Sequence, residues 1–175
     1  MSRGARGEPA FAALLRLHAE VDARAGALAT EHAARLQCRR GCSACCVDGI
    51  TVFAIEAERI RSHNKELLAQ GAPHPPGACA FLDVEGACRI YADRPYVCRT
   101  QGLPLRWIDE ERGAELRDIC PLNEAGEPIA ALPENSCWTL GPAEARLADL
   151  QRASGQDGER VMLRELFRPR ESMLL

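Results

Sequence analysis

Four thiols fall within the stretch Cys38-Arg39-Arg40-Gly41-Cys42-Ser43-Ala44-Cys45-Cys46. Cysteines three and four apart lie on one side of a helical turn or converge around a loop, so Cys38, Cys42 and Cys45 can aim at one point, with Cys46 beside them. The chemistry such a set supports is thiolate ligation of a soft or borderline metal. Arg39 and Arg40 favour the thiolate by lowering a neighbouring thiol's pKa, and Gly41 allows a tight turn. Cysteine also serves as a small buried hydrophobe, but four in one polar, glycine-containing turn do not read as core. Disulfides fit poorly as well. The total of nine cysteines is odd, and Met1 to Ala10 shows no basic start followed by an apolar run. The expectation is a cytoplasmic protein with reduced thiols.

A second group follows at Cys79, Cys88 and Cys98, with Cys120 and Cys137 beyond it. Asp83 to Gly86 is turn-like between apolar runs, so a hairpin is predicted to bring Cys79 and Cys88 together. Asp93 or a neighbour should cap a short helix opened by Pro95 and carrying Cys98. Leu103 to Ile108 and Ala114 to Ile119 flank an acidic turn, predicting a second hairpin that ends at Cys120-Pro121.

Helices must position these groups. Residues 1 to 7 read as frayed, and Glu8-Pro9 opens a long helix through about Gln37, with Phe11, Leu14, Leu15, Val21, Ala25, Leu28 and Leu36 as its apolar stripe. His18 and His32 fall on or beside that stripe, where a histidine is more often hydrogen-bonded than a metal ligand. Val47 to Val52 suggests a short extended segment, then a helix from Phe53 to His63, a break near Asn64, and a further turn or two capped by Gly71. The proline-rich loop 72 to 77 leaves His74 solvated, and 122 to 136 reads as a surface connection. Gly141-Pro142 should open one C-terminal helix, and Gly158 should precede a second built on Val161, Leu163 and Leu166.

The chain has 175 residues, enough for one sizeable core. The fold class expected is α+β: a small, mainly helical, metal-stapled single domain whose short hairpins carry the cysteines. It divides into a cysteine-cluster domain over 8–140 and a C-terminal helical extension over 141–170 packed on it. Hydrophobic residues at 46% and charged residues at 27% describe a soluble protein, with no apolar run of the roughly 20 residues a membrane span needs. A net charge of -3 gives no general excess of Lys and Arg for nucleic acid. No phosphate-binding glycine loop or nucleophile elbow is present in the sequence, so no catalytic residue is assigned.

The residues Cys38, Cys42, Cys45, Cys46, Cys79, Phe81, Leu82, Gly86, Cys88, Ile90, Tyr91, Arg94, Pro95, Cys98 and Arg99 together resemble the CxxCxxCC or YkgJ-like family of zinc- or iron-chelating proteins. The resemblance implies metal ligation by the family's eight cysteines, with Cys120 completing the set and Cys137 left over as a packing residue. Flagellin lysine methylases are similar in their cysteine cluster, but no segment here is assigned to methyl transfer. The metal stays open between zinc, as two tetrathiolate sites or one binuclear site, and iron, including a 4Fe-4S cluster. Cys38, Cys42 and Cys45 also resemble the triad of radical S-adenosylmethionine enzymes. The length opposes that enzyme, since even a compact (β/α)8 barrel takes roughly 200 residues or more.

Tetrathiolate zinc and an oxidised 4Fe-4S cluster each carry about two negative charges, which Arg39, Arg40, Arg89, Arg94 and Arg99 are placed to offset. Tyr91 should pack with its hydroxyl hydrogen-bonded. Three functions remain open at this point: metal chelation for structure or metal handling, an iron-sulfur protein in redox chemistry or protein modification, and a metal-stabilised module that binds a protein partner. The two cysteine groups are expected to share one site, because closing about 32 residues between Cys46 and Cys79 costs loop entropy that grows slowly with length.

Overall fold

The long first helix fixes the frame. The structure, a computed structural model, describes residues 4–168; of the stretch 1 to 7 expected to fray, residues 1 to 3 lie outside it and residues 4 to 7 are helical, and residues 169 and 170 of the 141–170 extension also lie outside it. Helix α1 (Gly4–Glu31) begins upstream of Pro9, which therefore lies inside the helix rather than opening it. Leu14, Leu17, Val21, Ala25 and Leu28 recur at helical spacing and are buried, the leucines and the valine each stabilising by about 1.5–3 kcal/mol. Leu17 takes the place expected for Leu15, which is 44% exposed.

The helix stops at Glu31 rather than Gln37 because its continuation is claimed by other partners. His32 Nε2 is 2.7 Å from the Ser136 carbonyl, and Arg35 bonds to the Glu127 carbonyl. The Gln37 N–H, which a longer helix would give to Ala33, goes to Asn123 Oδ1 at 2.8 Å. His18 is also buried and hydrogen-bonded, to Glu56, so both helix histidines have protein partners.

Strand β1 (Thr51–Phe53) leads into α2 (Ala54–His63), Asn64 breaks the helix, and α3 (Lys65–Gln70) follows. A short helix α4 (Tyr96–Arg99) carries Cys98. Strands β2 (Leu105–Asp109) and β3 (Ala114–Asp118) pair antiparallel, Trp107 opposite Leu116, and β4 (Trp138–Thr139) adds in parallel to β2. Helix α5 (Pro142–Ala153) packs back on α1 through Ala143 and Leu147.

The second C-terminal helix does not form. Its residues make strand β5 (Arg160–Met162), with Val161 opposite Val52 of β1, and a 3-10 helix at Leu163–Phe167. Three strand residues around a β-branched valine gain a ladder there, and a short isolated helix would be marginal. The connection 122 to 136 is likewise more than surface, since Asn123, Leu132 and Ser136 are buried.

Two hydrophobic cores result. One joins α1, α5, Tyr96 and Trp138; the other joins Val52, Ala57, Ile60, Phe81, Leu82, Ile90, Val161, Leu163 and Leu166, and includes Cys79. The α+β class is as expected, and the cores that hold it together here are apolar. Among the described residues no helix is long and apolar enough to cross a membrane.

Candidate metal centre

The first cysteine group is a loop of two successive turns. Cys42 donates its N–H to the Arg39 carbonyl and Cys46 to the Ser43 carbonyl, both at 2.9 Å, with Gly41 at φ 83° inside the first turn. The second group is a hairpin reduced to one bridge, Leu82 opposite Cys88. Its turn is shaped by Asp83, whose Oδ1 accepts from the Glu85 N–H at 2.9 Å and the Ala87 N–H at 2.8 Å. Phe81 and Leu82 are buried beneath it.

The two groups touch directly. The Cys79 N–H donates to the Cys46 carbonyl at 2.8 Å. The hairpin tip meets the first loop at Gly86, where φ is 78° and an added Cβ would lie 3.3 Å from the Gly41 carbonyl and 3.5 Å from Ser43 Oγ. A side chain at Gly86 would push the groups apart.

Cys98 enters from a third direction and is held by a buried acid. Glu56 Oε1 accepts the Tyr96 N–H at 2.6 Å and lies 3.0 Å from His18 Nε2, so one carboxylate ties α1, α2 and α4 together. A carboxylate only accepts, so Nε2 is the donor and Nδ1 is left buried without a partner. Asp22 adds a second tie, taking Arg99 at 2.5 Å and Arg94 at 3.9 Å. Asp93, expected as a cap, instead accepts from Arg59 and Asn64, and Pro95 occupies the cap position of α4.

The electrostatics draw five thiols into one neighbourhood. Burial first, and then the nearness of Cys79, Cys88 and Cys45, pushes the Cys98 thiol up to about 12. Burial raises Cys79, and burial followed by the presence of Cys79 raises Cys88. Cys45 and Cys46 share a hydrogen bond that lowers Cys45 to about 6 and raises Cys46, which Cys79 and Cys98 raise further. A metal ion would reverse the penalty these thiols impose on one another, because it binds the deprotonated form.

Cys38 and Cys120 belong to a second neighbourhood organised by Asn123, which is fully buried. Its Nδ2 donates to the Gly102 carbonyl at 2.8 Å and lies 3.4 Å from Cys38 Sγ, while its N–H donates to the Cys120 carbonyl at 2.7 Å. Gly102, at φ 91°, leaves room that no other residue could, since a Cβ there would stand 2.5 Å from Cys38 Sγ. Cys42 lines a cleft beside this region.

All nine cysteines are free thiols, and among the described residues no three His, Cys, Asp or Glu side chains are arranged to hold a metal ion as they stand. The donor set fits zinc or iron in kind, being several soft thiols gathered and partly buried without disulfides. Convergence onto a metal is a further step.

Cys137 stands apart. It is buried, its thiol is raised by burial and then tempered by Arg117 and Arg106, and Arg117 Nη1 lies 3.9 Å from its sulfur. Cys137→Ser is expected to leave bound metal unchanged in elemental analysis. Placing a hydroxyl in that site should cost about 1–3 kcal/mol in urea unfolding.

Of the arginines expected to offset charge, Arg89 and Arg94 act on Cys79 and Cys88, joined by the unexpected Arg164, whereas Arg39 and Arg40 are exposed. Arg164 escaped sequence reasoning, as did Asn123 and Glu56. Its guanidinium grips Asp48 with two bonds of 2.9 Å and also reaches the carbonyls of His74 and Ala78, fastening the C-terminal segment across the loops that lead out of Cys46 and into Cys79. The bidentate bond, with help from the Gly77 N–H, holds Asp48 down at about 2. Tyr91 is 64% exposed rather than packed, with Arg94 over its ring at 4.2 Å.

Residues 37–121 match the model of the CxxCxxCC family, described as a putative zinc- or iron-chelating domain. The matched segment contains every cysteine except Cys137. No curated protein and no solved structure matches the chain. The family description supports metal binding, of zinc or iron, by the segment that the two loops and α4 build.

Proposed function

We propose that the protein chelates zinc or iron through Cys38, Cys42, Cys45, Cys46, Cys79, Cys88, Cys98 and Cys120, in a centre that is structural or serves metal handling. The observation that carries this reading is the hydrogen bond from the Cys79 N–H to the Cys46 carbonyl, which brings the two groups into register beside Cys98. Cys45, Cys46, Cys79, Cys88 and Cys98 supply the shared site. Cys38, Cys42 and Cys120 complete a second or binuclear set next to it.

The crowding of Cys45, Cys79 and Cys88 around Cys98 favours a second reading, since four thiolates are what a 4Fe-4S cluster needs. Zinc in this place would cross-link the loops, and a cluster would in addition carry an electron for redox chemistry or protein modification. Both readings call for a reducing compartment, the cytoplasm, and for residues 8–140 and 141–170 to act as one unit.

The test is elemental analysis with an absorption spectrum on the full chain purified without oxygen. Stoichiometric zinc in a colourless protein supports the first reading, and iron with sulfide in a brown protein supports the second. Protein that contains neither metal and takes up neither on addition contradicts both.

A further inference from the structure

The loop of the first cysteine group presents, beside Cys42, an exposed face that carries two arginines. Arg39 and Arg40 are exposed there, and among the described residues neither makes an ion pair. Most other arginines are engaged: Arg94 and Arg99 with Asp22, Arg106 with Glu115, Arg117 with Glu115 and two carbonyls, Arg164 with Asp48. Glu85, whose backbone carbonyl faces Gly41, and Glu124, two residues beyond Leu122, form no ion pair with Arg39 or Arg40. In a chain of net charge -3, two adjacent uncompensated guanidinium groups form a local field of the opposite sign.

Apolar surface adjoins the two arginines. An open cleft of about 480 Å³ is lined by Gln37, Arg39, Arg40, Cys42, Ser43 and Leu122. Leu122 is 52% exposed, and Val84 is fully exposed at the hairpin tip, which touches this loop through Gly86 and Gly41. Large apolar side chains left in water beside unpaired arginines are the composition of a protein interface, where arginine is enriched and an apolar anchor fills a pocket.

We propose that this face, formed by Arg39, Arg40, Leu122 and Val84, docks an acidic segment of a partner protein, whose carboxylates meet the two guanidinium groups while an apolar side chain enters the cleft by Leu122. Charge complementarity selects this occupant. A guanidinium takes a carboxylate bidentately, and among the described residues no carboxylate pairs with Arg39 or Arg40, so a partner's carboxylates can take them. The docked segment lies directly over Cys42, placing the partner beside the cysteine centre.

The probe is a fluorescein-labelled peptide of alternating glutamate and leucine, titrated by fluorescence anisotropy against the full chain as purified, with metal per chain measured on the same samples. Saturable binding is expected, with R39E/R40E weakening it at least about tenfold and L122S about threefold, where tenfold corresponds to 1.4 kcal/mol. The matched glutamine-leucine peptide should bind no better than the R39E/R40E protein binds the acidic one. R112E, on the distant β2–β3 turn, should leave binding unchanged, and R39E/R40E should retain its metal.

Absence of saturable binding, or equal affinity in wild type and R39E/R40E, overturns the proposal. So does loss of metal in parallel with loss of peptide, which assigns the effect to the centre. Competition by inorganic phosphate without peptide binding makes the face a small-anion site, and concentration-dependent dimerisation abolished by R39E/R40E makes it a contact between copies. Either of these outcomes also overturns it. Metal content reads the proposed centre separately, so the two readings fail independently.

Discussion

Cys45→Ala and Cys98→Ala should each lose most of the bound metal and lower the melting temperature by about 10 °C or more, since roughly 2–4 °C accompanies each kcal/mol in a chain of this size. The reason is linkage: metal bound only by the folded chain contributes its binding free energy to folding. Cys98 lies at the meeting point, close to Cys45, Cys79 and Cys88, and Cys45 shares a hydrogen bond with Cys46. Removing either should open the contact between the groups, and the Cys79 amide should then exchange with solvent faster. Metal content and melting temperature unchanged in both variants would contradict the shared centre. Stripping the metal with a chelator should reproduce the loss in the wild type and change the variants little.

Glu56→Ala should be the most damaging single change away from the cysteines. It leaves His18 Nε2 and the Tyr96 N–H buried without an acceptor, at about 1–3 kcal/mol for each stranded donor, and opens a cavity between three helices. A loss of about 3 kcal/mol or more is expected in urea unfolding. Because Glu56 fixes the start of α4, the same variant should bind less metal through the displacement of Cys98. Glu56→Gln keeps an acceptor and should lie between wild type and alanine in both measurements. A stability unchanged by Glu56→Ala would show that α4 is held by Asp22 and the core alone.

The parts legible in the sequence were those set by local pattern. Leu14, Val21, Ala25 and Leu28 announced the inner face of α1, the Asn64 break appeared where polar residues interrupt the stripe, and the acidic turn between β2 and β3 gave their pairing. The motif residues Phe81, Leu82, Ile90 and Pro95 proved to be the buried frame under the cysteines, and Gly86 the close contact between the loops.

What could not be read depended on partners far along the chain. The end of α1 was decided by Asn123 and the carbonyls of Glu127 and Ser136, which have no periodicity to mark them. Val161 formed a strand only because Val52 offered an edge. Glu56 resembles any other helix acid until His18 and Tyr96 surround it, and nothing near Arg164 in the sequence points to Asp48. The separation of Cys38 from the five crowded thiols is likewise a tertiary result, produced by Asn123 and the space at Gly102.

The central claim is that thiolates from both cysteine groups hold one metal centre, and X-ray absorption at the metal edge of the full chain purified without oxygen tests it most directly. The expected result is an inner shell of sulfur alone, at about 2.3 Å if the metal is zinc, which loses sulfur in both Cys45→Ala and Cys98→Ala. An inner shell of oxygen and nitrogen, or a sulfur shell that either substitution leaves intact, would contradict it.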